Sequence, residues 1–105
     1  MKTCQIPELA GAYAAGATVV DVREPEEYVG GHVPGALLIP LGDLPGRIHE
    51  VPRSGPVYVV CASGQRSRSG VELLEQAGFE AISLEGGTNG WIAAGRDYVT
   101  GPHSR

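Results

Sequence analysis

One cysteine in this chain stands where it could do chemistry. Cys61 ends the run Val57-Tyr58-Val59-Val60 and opens the polar stretch Ala62-Ser63-Gly64-Gln65-Arg66-Ser67, after which an amphipathic pattern begins. β-Branched and aromatic residues in a short run favour a strand, so the thiol lies at a strand end and just ahead of a helix. If the loop curls with successive N–H groups inward, it forms a nest for an anion. The helix then adds its free N–H groups and dipole from the same side. A thiol at the centre of that nest has a lowered pKa and is a competent nucleophile. Gly64 permits a backbone conformation closed to other residues. Arg66 offers a two-pronged donor for an oxyanion, or ties the loop to a nearby carboxylate such as Asp21. A cysteine alone at a strand end would read as a small buried hydrophobe. Strand end, glycine loop, arginine and helix start together outweigh that reading.

The other reactive residue types are less promising. The two cysteines, Cys4 and Cys61, make no disulfide framework. Cys4 lies at the first strand, far along the chain, and is not expected to resolve a bond to Cys61. His32, His49 and His103 are scattered without metal-ligand spacing, so no metal site is expected. His32, within Gly31-His32-Val33-Pro34-Gly35-Ala36, is expected to bond backbone groups in a turn rather than act as a base. Trp91 is expected in the core. The acids Glu24, Glu26 and Glu27, like Glu72 and Glu75, read as solvated helix faces.

The elements that must position the loop follow in order. Thr3 to Ile6 reads as a short strand. Ile6, Leu9, Ala10, Tyr13 and Ala14 have the spacing of a half-buried helix, with Pro7 in its first turn and Gly16 at its end. Thr18 to Val22 is a nearly continuous apolar run, as in a buried parallel strand. A second helix opens at Pro25, where the flanking acids suit the positive end of its dipole. Leu37-Leu38-Ile39 is a short strand. Pro40 starts a brief helical stretch through Leu41, Leu44 and Ile48, which Pro45 keeps short or irregular. Beyond the cysteine loop, Val71, Leu74 and Ala77 predict a helix stopped at Gly78. Ala81 to Leu84 is the last strand, and Glu85 to Trp91 turns into a final helix. Residues 96–105 read as a weakly ordered tail. Strands alternating with helices define an α/β domain with a mainly parallel sheet, in which ligands bind beyond the C-terminal ends of strands. Cys61 lies at such an end.

Composition sets outer bounds. At 105 residues the chain is one domain able to bury a single core. A formal net charge of −4 argues against a nucleic-acid surface. No apolar run approaches the ~20 residues that span a membrane, and the first residues lack the apolar region of a secretory signal. The expected location is the cytoplasm, with no membrane partner.

Four blocks carry a family resemblance: Asp21-Val22-Arg23-Glu24-Pro25-Glu26-Glu27-Tyr28, Gly31-His32-Val33-Pro34-Gly35-Ala36, Cys61-Ala62-Ser63-Gly64-Gln65-Arg66-Ser67 and Gly86-Gly87-Thr88-Asn89-Gly90-Trp91. In this order and spacing the chain resembles the rhodanese homology domain, the thiosulfate sulfurtransferase family, in its single-domain form. The resemblance implies a three-layer α/β/α sandwich with a five-stranded, mostly parallel sheet. It implies that Cys61 takes a sulfane sulfur from a donor such as thiosulfate, holds it as a persulfide, and passes it to a thiophilic acceptor such as cyanide or a thiol. The acceptor it implies can also be a protein or a small thiol. Ala62, Ser63, Gly64, Gln65, Arg66 and Ser67 would hold the persulfide or the departing sulfite, and Asp21 and Arg23 would support the loop. No metal or organic cofactor is implied.

Three activities compete for this loop. Four residues separate Cys61 from Arg66, the interval typical of sulfur transfer in the family. Related phosphatases carry one more, because a phosphate needs a larger cradle than one sulfur. A phosphatase or arsenate reductase therefore fits poorly. A persulfide carrier or sulfide-sensing module with little turnover of its own is the alternative. Many thiosulfate-handling members carry a basic residue directly after the cysteine, whereas Ala62 stands here. Weak thiosulfate binding is expected.

Overall fold

The computed structural model describes residues 1–105. In chain order the elements are β1 (Lys2–Cys4), α1 (Ile6–Ala14), β2 (Thr18–Asp21), α2 (Pro25–Gly30), β3 (Leu37–Leu38), β4 (Val57–Val60), α3 (Arg66–Gln76), β5 (Ala81–Leu84) and α4 (Gly87–Ala93). Two short 3₁₀ segments, Leu41–Asp43 and Pro45–Glu50, fill the stretch that Pro45 was expected to make irregular. The first strand ends at Cys4, short of the expected Ile6, because Gln5 caps α1 reciprocally with Glu8. The Gln5 N–H donates to Glu8 Oε1 at 3.0 Å.

The five strands run in the order β1-β5-β4-β2-β3, and every neighbouring pair is parallel. Period-2 alternation sends strand residues to both faces, and both are covered. Val20, Val57, Val59 and Ala81 face α3 and the 3₁₀ segments, packing on Val71, Leu74, Leu44 and Ile39. Val19, Val60 and Leu84 face the other way, against Leu9, Tyr28 and Trp91. Helices α1, α2 and α4 thus lie on one face and α3 on the other, completing the three-layer sandwich.

This strand order has one switch point. After β2 the chain moves outward to β3, whereas after β4 it moves the opposite way to β5. The crevice where such connections diverge, beyond the C-terminal ends of β2 and β4, is where open α/β sheets hold ligands. The two ends are locked in register, Asp21 beside Val60, and the Val22 N–H donates to the Val60 carbonyl at 3.0 Å. Cys61 is the next residue.

The segment read as a weakly ordered tail is docked. Val99 and His32 exchange backbone hydrogen bonds of 2.9 and 3.0 Å, the Gly101 N–H donates to Val29 O at 2.8 Å, and the Gly35 N–H to Ser104 O at 2.7 Å. Its polar, glycine-containing composition concealed main-chain pairing, which leaves no mark on hydropathy.

Helix α3 approaches the sheet closely because Gly70 has no side chain. A Cβ there would stand 3.1 Å from Val59 Cγ1 and 3.3 Å from Val22 Cγ1. Gly70→Val should therefore overpack this layer and cost about 1–3 kcal/mol. Urea denaturation at unchanged m-value measures the loss, and a variant as stable as the parent would contradict this packing.

Candidate active site

Residues Cys61–Gln65 curl at the end of β4 before α3 begins. The Gly64 N–H donates to Cys61 Sγ at 3.1 Å, and Sγ lies 3.5 Å from Ser67 Oγ. Gly64 adopts φ +108°, the left-handed conformation that turns its amide back to the sulfur. Cys61 is only 1% exposed. Burial alone would raise its pKa, but the Ser67 hydroxyl and the N–H groups of Ser67, Gly64 and Ser63 outweigh it, and the net direction is down. Backbone amides and one hydroxyl, rather than a cationic side chain, favour the thiolate.

The hydroxyl belongs to a relay. Ser67 Oγ lies 2.7 Å from Ser83 Oγ, and both serines are buried. A thiol can donate to Ser67, which then donates to Ser83. Once Cys61 ionises, the order reverses, with Ser83 donating to Ser67 and Ser67 to the sulfur. Ser83 was not singled out from sequence. Its signal was a lone hydroxyl in phase with Ala81, within an otherwise apolar strand.

The loop is also held from behind. The Thr88 and Asn89 N–H groups at the start of α4 donate to the carbonyls of Cys61 and Ala62, at 2.8 and 3.0 Å. The loop amides can turn inward because the carbonyls turned outward find partners there. Gly87 makes the approach feasible, at φ +58° with its Cβ position 2.6 Å from the carbonyl oxygens of both Cys61 and Ala62.

The expected support residues sit one strand away. Asp21 and Arg23 form a buried ion pair with bonds of 2.8–3.2 Å, and Arg23 Nη2 donates to Gly31 O at 2.9 Å. They brace the turn at Gly31 and make no hydrogen bond to the cysteine loop. Arg66 instead pairs with Glu27, Nη1 to Oε1 at 2.7 Å and Nη2 to Oε2 at 2.8 Å. The reading of Glu27 as a solvated acid is thereby corrected. Its place on α2, just past β2, faces α3 across the crevice, and a sequence pattern does not display that pairing. Arg66 holds the Glu27 carboxyl well below the usual range, at about 2.

The other marked residues take structural places. His32 is buried, with Nδ1 2.7 Å from Tyr28 O and Nε2 2.9 Å from His103 O. Trp91 is in the core and donates from Nε1 to Asp97 O at 2.7 Å. Cys4 packs with Val60 and Leu84 on the face opposite Cys61. Burial, then Glu8 and Glu85, push its thiol up to about 11. It is no resolving partner. Beside the loop lies an open cleft of about 320 Å³ lined by Ser63, Gly64, Gln65, Arg68, Glu85 and Gly86, none of them apolar. No three His, Cys, Asp or Glu side chains gather as a metal-binding set.

Fold and site define a class: parallel α/β domains that present one thiol in a loop of backbone amides at the sheet's switch point. Comparison gives the family. Residues 6–94 match the rhodanese-like domain, and the chain belongs to that family. It is 37% identical over 87 residues to the thiosulfate sulfurtransferase GlpE of Stutzerimonas stutzeri, covering 81% of this chain and 80% of that protein. A sulfurtransferase of Allochromatium vinosum is 36% identical over 82 residues, 77% of each chain. The crystal structure of a rhodanese-related protein from Thermoplasma volcanium superposes with a TM-score of 0.88 at 33% identity, over 94% of this chain and 98% of that one.

Two substitutions separate the supports of the sulfur. Gly87→Ala forces a methyl into two carbonyl oxygens and should abolish rapid alkylation of Cys61 by iodoacetamide while the domain stays folded by circular dichroism. Ser83→Ala should move the pH midpoint of that alkylation upward, because a thiolate stabilised in the fold loses one donor of its relay. An unmoved midpoint would remove Ser83 from the site.

Proposed function

We propose that the protein is a sulfurtransferase that carries sulfane sulfur as a persulfide on Cys61. The observation that carries this reading is the sulfur's setting: Cys61 Sγ receives the Gly64 N–H at 3.1 Å within a loop whose amides lower the thiol pKa despite burial. Relatives named as sulfurtransferases support the same chemistry. With thiosulfate, the Cys61 thiolate attacks the outer sulfur, the S–S bond breaks, and sulfite leaves with the bonding electrons. A thiophilic acceptor such as cyanide or a thiolate then attacks the outer sulfur of the persulfide and releases the Cys61 thiolate. No external oxidant or reductant is consumed.

The residues of the loop divide the work. Ser63, Gly64 and Ser67 stabilise negative charge on sulfur through backbone N–H groups, and Ser67 adds its hydroxyl. Gln65 lines the cleft, the Ala62 carbonyl anchors the loop to α4, and Arg66 ties it to α2. At 1% exposure Cys61 offers its sulfur to a slender reagent approaching end-on, such as the outer sulfur of a small donor or a partner's cysteine. A reducing compartment such as the cytoplasm suits a thiol that must return free after each cycle.

Intact mass spectrometry after incubation with thiosulfate tests the reading. We expect a gain of one sulfur, removed by cyanide and absent in Cys61→Ser, with half-saturation at millimolar rather than micromolar thiosulfate because no basic residue follows the cysteine. Saturation in the micromolar range would contradict the weak binding, and no adduct with any sulfane donor would contradict sulfur transfer. Loading without cyanide turnover would make the protein a carrier.

A further inference from the structure

We propose that Glu27 sets which sulfur donors the site takes, by cancelling the charge of Arg66 and so turning the loop from small free dianions toward persulfides. This rests on the reading of Cys61 as the sulfur-carrying residue.

Arg66 is the only positive side chain between Cys61 and Ser67. A free guanidinium there would offer its Nη1/Nη2 edge to two oxygens of a sulfonate. In this structure that edge is occupied, both nitrogens donating to the two oxygens of Glu27 at 2.7 and 2.8 Å. Glu27 is itself fixed in place, since the Glu24 N–H also donates to its Oε1 at 3.0 Å as part of the reciprocal cap of α2. The pair spans the crevice from α2 on one face of the sheet to α3 on the other. Arg66 lowers the Glu27 carboxyl to about 2, so the carboxylate is ionised and available to the pair at neutral pH. Arg68 also lines the cleft beside the loop, but Glu85 lines it too, 3.9 Å away, so these two side chains add no net charge either.

The loop therefore presents amide dipoles without a net side-chain charge. Those dipoles serve a single sulfur well and a doubly charged anion poorly, because the anion must also shed its water. A persulfide R–S–S–H does not depend on the missing charge. The Cys61 thiolate attacks its terminal sulfur, the old S–S bond breaks, and R–S⁻ leaves with the electron pair. The proton stays on the transferred sulfur, so atoms and electrons balance without a further reactant.

The plain alternative is that Glu27 only staples α2 to α3, and a substitution separates the two. Gln at this position keeps the cap of α2, which accepts Glu or Gln alike, while it removes the charge. Loading of Cys61 is measured with thiosulfate and with cysteine persulfide in the parent, Glu27→Gln, Arg66→Gln and the double variant. In Glu27→Gln the thiosulfate-to-persulfide ratio of kcat/KM should rise about fivefold, the effect of one exposed unit charge, through a lower thiosulfate KM. The double variant should return to the parental ratio, and Arg66→Gln alone, which leaves the Glu27 carboxylate unpaired, should lower it. A ratio unmoved or lowered in Glu27→Gln, or a ratio raised in Arg66→Gln alone, would overturn the role of Glu27. Ionic strength gives a check that needs no variant: the parent's thiosulfate KM should be flat with added salt, and a steep rise would reveal an unpaired cation and overturn the proposal. If the parent loads from neither donor, sulfur transfer fails and the proposal with it. If it loads from both with the ratio unmoved, only Glu27 is wrong.

Discussion

A buried sulfur surrounded by backbone N–H groups is the constraint on which the rest of this structure depends. Pointing successive amides inward forces the neighbouring carbonyls outward, and buried carbonyls need donors. The Thr88 and Asn89 N–H groups supply them to Cys61 and Ala62. That arrangement requires α4 to start against the back of the loop, and only a residue without a Cβ fits where Gly87 stands. Two glycines with left-handed φ, Gly64 before the sulfur and Gly87 behind it, therefore belong to one device.

Much of this was legible in the chain, and for identifiable reasons. Val57–Val60 and Ala81–Leu84 read correctly as strands because both faces of the sheet are covered, so burial leaves continuous apolar runs. Gly78 marked the end of α3 because its φ of +91° suits a residue without a side chain. The place of Cys61 between strand end and helix start was legible from the strand, loop and helix patterns in succession. What escaped were pairings between distant elements. Glu27 with Arg66 and Ser67 with Ser83 depend on register and on which helix covers which face, neither of which a single residue declares. Asp21 and Arg23 were expected to pair near the loop, and their buried ion pair does lie one strand away, Asp21 beside Val60, with Arg23 also holding the turn at Gly31. The docking of residues 96–105 escaped because it relies on main-chain bonds.

The electrostatic design is economical in charge. Inside the loop, dipoles do what a lysine or arginine could have done, and the one arginine is matched by a carboxylate. Dipoles fixed by the fold need no reorganisation when charge appears on sulfur, whereas an exposed cation is screened by salt and attracts any anion. The same logic separates the two cysteines. Cys4 is buried among apolar groups and two carboxylates and is driven toward the neutral thiol, while Cys61, equally buried, is driven toward the thiolate by its donors. Burial does not decide the direction of the shift here. Hydrogen bonding does.

The most direct measure of that difference is a thiolate titration followed by ultraviolet absorbance across the alkaline range. Two steps are predicted, one below the ordinary thiol value that disappears in Cys61→Ser, and one near 11 that disappears in Cys4→Ala. A Cys61 step at or above the ordinary value would contradict the claim that the loop's donors overcome its burial.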